Sequence, residues 1–229
     1  MMIRLSPRLA AVASLVREGA FLADVGTDHA QLPAALMECG KIRGAVASDV
    51  NEGPVAHARE TVRACGFEGQ IDVLLTDGLA GLESYAPTDI VIAGMGGELI
   101  RDILAASPIP KKSGVRLILQ PMTMQRELRE YLSTGHFHIS RELLSLDSNL
   151  NGRLYNILCA EYRADFAESP YSELELVVGR RLIEERPAHF EAYIARHLEI
   201  LDVRIGGMDK AGLDTSGLKA LRWDIAALL

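Results

Sequence analysis

The chain has 229 residues, 48% hydrophobic and 24% charged, enough to bury one large core with an appendage and without disulfides or metals. With 24 Lys and Arg against 31 Asp and Glu the formal charge is -7, which excludes a uniformly basic nucleic-acid coat and leaves local basic patches open. No apolar run approaches the roughly 18 residues that span a bilayer, and Cys39, Cys65 and Cys159 show no C-x-x-C spacing, so the reading is a cytoplasmic protein with small buried cysteines and no structural metal.

In chain order, Ser6-Pro7 is an N-cap followed by proline at the first helical position, and Leu9, Val12, Ala13 and Val16 repeat at helical spacing. AFLADVG then reads as a buried strand ending at a turn. The rhythm repeats: a helix from about Gln31 to Cys39, the strand GAVASDV, a helix from about Glu52 to Cys65, and the strand IDVLLTDG. TDIVIAGMGG, a helix from about Glu98 to Ala106 and the strand VRLILQP follow. Short, near-continuous apolar strands need cover on both faces, and their alternation with helices predicts an α/β fold with a doubly wound, mostly parallel sheet.

After a helix with Leu128 and Leu132 on one face, HFHISRELLSL and RLYNILCAEY are joined by the polar turn DSNLNGR, which predicts an antiparallel edge hairpin. From about Ala164 the patterns are helical only, dividing the chain into 1–163 and a helical C-terminal domain, 164–229. There Phe190, Ile194, Leu198, Leu201 and Ile205 mark one helix face after a break at Pro187, and Gly206-Gly207 marks another break. Leu218, Leu221, Ile225 and Leu228, after Thr215-Ser216 as caps, mark a second helix that folds back as an antiparallel, coiled-coil-like hairpin.

An open α/β sheet binds its ligand beyond the carboxyl ends of its strands. Four such ends carry polar groups: DVGTDHAQLP with Asp24, Gly26, Asp28 and His29; Asp49, 23 residues beyond Gly26; Asp77 with Gly78; and AGMGG, residues 93–97. Gly26 lets backbone approach a ligand, Asp49 stands where a carboxylate reaches ribose hydroxyls, and Asp77-Gly78 suits an adenine amino group. A dinucleotide site needs glycine where this chain has Asp28, whose charge would repel a pyrophosphate and favour a cationic donor such as S-adenosylmethionine. We expect Asp28 to lie by the donor's charged end and to contribute most to the site.

The runs DVGTDHAQLP, ASDVNEGPVAHA, TDGLAGL, IVIAGMGGELI and LILQPM, in this order and spacing, resemble the bacterial tRNA adenine-N1 methyltransferases that modify adenine 22. The match is strong over about residues 3–163 and weaker over the tail. The resemblance implies a class I methyltransferase fold, S-adenosylmethionine as donor, N1 of a tRNA adenine as acceptor, and a helical hairpin that helps hold the tRNA. It also implies that Gly26 and its neighbours surround the donor's methionine part, Asp49 its ribose, and Asp77 with Gly78 its adenine. Gly94, Met95, Gly96 and Gly97 would face the transferred methyl. Asp28 and Ala30 replace glycines usual in the wider superfamily, a departure shared with this narrower family.

Adenine N1 already carries a lone pair, so no base must deprotonate it, and catalysis reduces to positioning in a dry pocket with an acceptor for the exocyclic amine. That acceptor is a backbone carbonyl or a side chain from another loop, with Asp28, His29 and Gln120 as the candidates. Each residue has a plainer counterpart: Asp49 as a helix N-cap, Asp77 as a turn former, His29 as a helix-start residue bonded to backbone, the glycines as a tight turn, and Gln120 as satisfying a strand end. His136 and His138 alternate on a strand without a third metal ligand nearby. For tRNA phosphates the basic clusters are Lys111, Lys112, Arg116, Arg126, Arg129, Arg180, Arg181 and Arg186, although the tail from Phe166 carries roughly 8 basic against 11 acidic residues. A small-molecule or protein acceptor, or a non-catalytic nucleotide-binding protein, remain rival readings, and the expected assembly is a monomer or weak homo-oligomer.

Overall fold

The computed structural model describes residues 3–147, 152–165 and 169–229. The first helix, α1 (Pro7–Leu15), begins as its sequence requires, with the Ser6 hydroxyl accepting from the Leu9 N–H at 3.3 Å and Pro7 opening the helix. The alternating part then runs β1 (Ala20–Val25), α2 (Gln31–Glu38), β2 (Ile42–Asp49), α3 (Glu52–Ala64), β3 (Ile71–Leu75), β4 (Asp89–Gly96), α4 (Gly97–Ala105), β5 (Arg116–Thr123), α5 (Gln125–Thr134), β6 (Phe137–Asp147) and β7 (Arg153–Tyr162). One seven-stranded sheet orders them β3-β2-β1-β4-β5-β7-β6. The first five pair in parallel, and β7 pairs antiparallel with both β5 and β6, as expected for an edge hairpin. Most of the turn DSNLNGR, residues 148–151, lies outside the described residues.

Both faces of the sheet are covered, which is why its strands read as apolar runs rather than as an alternation. Leu22 and Ile118 face a core shared with Val12, Leu32, Leu36 and Val62, while Val25, Leu117 and Leu119 face one shared with Ile100, Leu104, Leu128 and Leu132. The order of winding reverses between β1 and β4, so the switch point lies beside the ends of those two strands.

The tail forms α6 (Glu173–Val178), α7 (Arg180–Glu185), α8 (Phe190–Lys210) and α9 (Ser216–Ala226). Phe190, Ile194, Leu201, Ile205 and Ile225 build a third core that reaches Leu144 and Leu154 of the β6–β7 hairpin. Pairing of Arg222 with Asp202, and of Lys219 with Asp209, sets α9 antiparallel to α8.

Three expectations about the tail and the cysteines need correcting. Helix α8 does not break at Gly206-Gly207; the two glycines cost about 1 kcal/mol each relative to alanine, but the helix continues through them to Lys210 and the chain turns at Gly212, φ +69°. Thr215 makes no side-chain cap; its hydroxyl donates to Asp209 at 2.6 Å, and the Asp214 carboxylate accepts from the Ser216 N–H instead. Of the three cysteines expected to be buried, Cys39 just after α2 is exposed and Cys65 is half-buried, and Cys159 alone is buried.

The break between α6 and α7 at Gly179 has no strong local signal. Its φ of +107°, and the Glu142 and Arg129 side chains 2.5 to 2.9 Å from where a Cβ would stand, make it a product of tertiary packing. Arg129, fully buried, donates to Glu142 at 2.9 Å, to Asn156 at 2.8 Å, and to the carbonyls of Leu176, Val177 and Val178. A side chain of α5 thereby satisfies the open carbonyls at the end of α6 and fastens the tail to the sheet.

Candidate active site

Sheet register lines up the strand ends. The N–H groups of Gly26 and Thr27 donate to the Ser48 carbonyl at 2.8 and 2.9 Å, and the Thr76 N–H donates to the Asp49 carbonyl at 3.0 Å. Asp77, Asp49, Gly26 and Gly94 thus follow one another along the carboxyl edge of β3, β2, β1 and β4. Gly26 needs glycine for its φ of +76°, and the Met95 methyl packs where a Cβ would stand. Ala30, where glycine is usual in the wider superfamily, does adopt a left-handed conformation at φ +49°, steadied by the Thr27 hydroxyl accepting from its N–H at 3.0 Å.

A cavity of about 400 Å³ opens at this edge, lined by Arg8, Asp24, Gly26, Asp28, His29 and Gly94, among others. Asp24 is buried, and that burial raises its carboxyl to about 6 against the opposing hydrogen bond from Thr27. Asp28 is open, its side chain 77% exposed, with His29 Nε2 at 3.3 Å. The His29 ring stacks on His57 of α3 at 4.7 Å, not on backbone. Asp28, His29 and His57 bring three possible metal-ligand atoms within 4.8 Å of one another, although Asp28 and His57 are exposed and the ring stack itself needs no ion.

The remaining candidates lie outside that cavity lining. Asp49 is not a helix cap: Asn51 is the residue that precedes α3, and among the described residues only Oδ1 of Asp49 is engaged, accepting from the Asn51 N–H and amide at 2.8 and 3.0 Å. Asp77 is exposed beside Gly78, whose φ is +54°. Met95 and Gly96 are not in a simple turn; β4 continues through both, with register shifts on either side of Met95.

Gln120 is fully buried. Its oxygen accepts from Arg8 at 2.7 Å and its amide donates to the Pro121 carbonyl at 3.0 Å, so both ends of the side chain are engaged and Arg8 is what reaches the cavity.

Most of the basic residues expected to meet phosphate are already paired. Besides Arg129, Arg126 is bidentate to Glu173, Arg180 pairs with Glu175, Arg181 with Glu184 and Arg116 with Glu161. Of the rest, Arg186 lies over the Phe190 ring, and Lys111 and Lys112 precede β5 at the edge of the sheet opposite the cavity. Carboxylates 45 and 47 positions away neutralise Arg116 and Arg126, and nearer ones Arg180 and Arg181, which a count of basic residues does not register.

A family model described as a methyltransferase domain matches residues 5–158. A tRNA (adenine(22)-N(1))-methyltransferase of Bacillus subtilis is 34% identical over 192 residues, covering 82% of this chain and 79% of the relative. The chain belongs to the tRNA (adenine(22)-N(1))-methyltransferase family. A Streptococcus pneumoniae protein solved in complex with S-adenosyl-L-methionine is 35% identical, covers 99% of this chain and 100% of its own, and superposes with a TM-score of 0.85. The B. subtilis m1A22 tRNA methyltransferase TrmK superposes at 0.82, with 31% identity over 98% of this chain and 95% of its own.

In this methyltransferase, sequence reasoning missed Arg8 and His57. Each reaches the site from another element, and the only local hint is an arginine in the first turn of α1. Among the described residues no helix is long and apolar enough to cross a membrane.

Proposed function

We propose that this protein transfers a methyl group from S-adenosylmethionine to N1 of adenine 22 in tRNA. The observation that carries the reading is the row of Asp77, Asp49, Gly26 and Gly94 along one sheet edge, opening on a cavity that holds Asp24 and Asp28. These residues fit the donor: two carboxylates suit a molecule with an ammonium and a sulfonium, and the Ser48 hydroxyl, buried with no hydrogen-bond partner among the described residues, sits in the strand end beside Gly26. When bound, the donor supplies an electrophilic methyl on sulfur.

The chain's own residues hold and orient. Asp24, Gly26 and Asp28 take the methionine end, Asp49 offers its uncommitted Oδ2 to the ribose, and Asp77 with Gly78 take the adenine. The bulged strand of Gly94, Met95 and Gly96 lines the reacting side, with Met95 packed over Gly26. For the exocyclic amine of the acceptor, Gln120 is spent on Arg8 and Pro121, which leaves Asp28 and His29. A target base stacked within tRNA must leave its stack to reach them.

We read residues 1–163 as the donor-binding domain and 164–229 as the helical unit that helps hold the tRNA, in a monomer or weak homo-oligomer in the cytoplasm that needs no metal. The cation placed to meet phosphate near the site is Arg153, exposed, over the Tyr155 ring at 5.5 Å and without a carboxylate partner among the described residues.

The test is incubation with labelled S-adenosylmethionine and unmodified tRNA bearing adenine 22, beside the same tRNA with that base changed, with the product nucleoside identified by mass spectrometry. Label in 1-methyladenosine, and only in the first tRNA, is the expected result. No transfer to folded tRNA by donor-binding protein overturns the acceptor assignment. Asp28→Ala is expected to lower kcat/KM by roughly tenfold to a hundredfold, the value of a hydrogen bond to a charged group; unchanged turnover removes Asp28 from the mechanism.

A further inference from the structure

Three side chains that can ligate a metal meet at the rim of the cavity, and the methyl transfer proposed above employs only two of them. Asp28 and His29 come from the loop between β1 and α2, and His57 comes from the second turn of α3. Among the described residues these side chains have no ion-pair, hydrogen-bond or ring partner outside the trio. The Asp28 carboxylate stands 3.3 Å from His29 Nε2, and the His29 ring lies on the His57 ring at 4.7 Å with 14° between their planes. The loop that presents the first two is itself fixed, with the Thr27 hydroxyl accepting from the Ala30 N–H at 3.0 Å.

One possible ligand atom from each residue lies within 4.8 Å of the other two. A tetrahedral zinc, with bonds of about 2.0–2.1 Å to imidazole nitrogen and carboxylate oxygen, needs such atoms about 3.3 Å apart, so the three must close by no more than about 1.5 Å. Rotation of side chains supplies this, because Asp28 and His57 are exposed and nothing outside the trio holds them. Two imidazole nitrogens with one carboxylate suit zinc and its transition-metal neighbours rather than magnesium or calcium, which take oxygen ligands.

Asp28 also belongs to the surroundings of the donor, since it lines the cavity together with Asp24 and Gly26. A carboxylate bound to a dication is no longer available to an ammonium, and two cationic groups a few ångströms apart repel each other. We propose that Asp28, His29 and His57 form a site for a zinc-class divalent cation at the rim of the donor cavity, and that this cation and the donor exclude each other through Asp28. The ion takes no part in methyl transfer; it closes the protein to its donor. The exclusion rests on the donor assignment above, whereas the cation site stands without it. By linkage, the factor by which zinc weakens the donor equals the factor by which the donor weakens zinc.

The experiment titrates zinc alone into the metal-stripped full chain by calorimetry, for wild type, His57→Ala and His57→Asp, and then titrates S-adenosylhomocysteine with and without saturating zinc. His57→Ala is expected to weaken zinc by at least about tenfold, since even the outer partners of a metal ligand are worth roughly 10- to 100-fold. His57→Asp keeps a ligating oxygen and is expected to fall between. Zinc is expected to weaken S-adenosylhomocysteine by roughly tenfold to a hundredfold in wild type and, at the same concentration, by no more than about twofold in His57→Ala. Magnesium in place of zinc is expected to leave both unchanged. Zinc held equally by wild type and His57→Ala is bound elsewhere, for instance at the exposed Cys39 thiol, and overturns the site. Zinc that is lost with His57 yet leaves S-adenosylhomocysteine unchanged, or tightens it, overturns the exclusion. A wild type that binds no S-adenosylhomocysteine in metal-free buffer overturns the donor assignment and the exclusion with it, while the zinc titration still decides the site.

Discussion

Arg129 and Arg8 show how differently the tail junction and the sheet's carboxyl edge treat the same side chain. Arg129 is fully buried and spends its donors on Glu142, Asn156 and three carbonyls. Arg8 is held by one neutral amide and one ring, and it faces a cavity. Around the junction the neighbouring arginines follow the first pattern, with Arg126 on Glu173 and Arg180 on Glu175. At the sheet edge the acids follow the second: Asp24 is buried with no lysine or arginine paired to it among the described residues, and Asp28 is exposed beside His29 and His57. Where the chain must hold itself together its charges are satisfied internally, and where it must hold a ligand they are fixed but left open.

The largest effect that tests this contrast is on stability. Arg129→Ala should cost about 3–5 kcal/mol in urea unfolding, because Glu142 is left buried and alone, and removing both partners with apolar residues should restore most of it. Arg8→Ala strands only the Gln120 oxygen and should cost about 1–2 kcal/mol. Equal losses would erase the distinction.

Asp24→Asn should have the opposite sign. Burial raises the folded carboxyl from 3.8 to about 6, so the folded state keeps its proton longer than the unfolded chain, and this group makes the protein less stable as pH rises from about 4 to about 6. The substitution should therefore stabilise the unliganded protein by up to about 3 kcal/mol above pH 6, with the gain vanishing below about pH 4, while weakening donor binding. Unfolding curves across that range measure it; a gain independent of pH would refute the electrostatic cause.

In the tail, His197 is half-buried against the Tyr193 ring, and desolvation, aided by the charge of Arg129, lowers it to about 4. Here the unfolded chain takes up the proton first, so stability is lost as pH falls from about 6.5 toward 4. The expected loss is about 2 kcal/mol between pH 7 and 5, absent in His197→Phe. Trp223 marks the lower limit: it is 77% exposed on α9, and Trp223→Ser should change stability by no more than about 0.5 kcal/mol.

Much of the fold was legible because its signals are local. Ser6-Pro7 announces α1, apolar runs announce strands covered on both faces, and the four strand ends locate the cleft. Errors came where a local signal is outweighed or absent. The glycine pair in α8 is carried through by a helix held on both sides, and the break at Gly179 exists because Arg129 and Glu142 occupy the space.

The sequence by itself determined the doubly wound sheet, its edge hairpin, the row of acids and glycines at the strand ends and the family likeness, since each is written in residues a few positions apart. Only the tertiary structure decided which charges are free. Arg8 meets Gln120 across 112 positions, Arg126 meets Glu173 across 47, and His29 meets His57 from another helix. Whether a charged group holds the chain or holds a ligand depends on what stands within a few ångströms of it, and that neighbour is set by the winding of the sheet rather than by order along the chain.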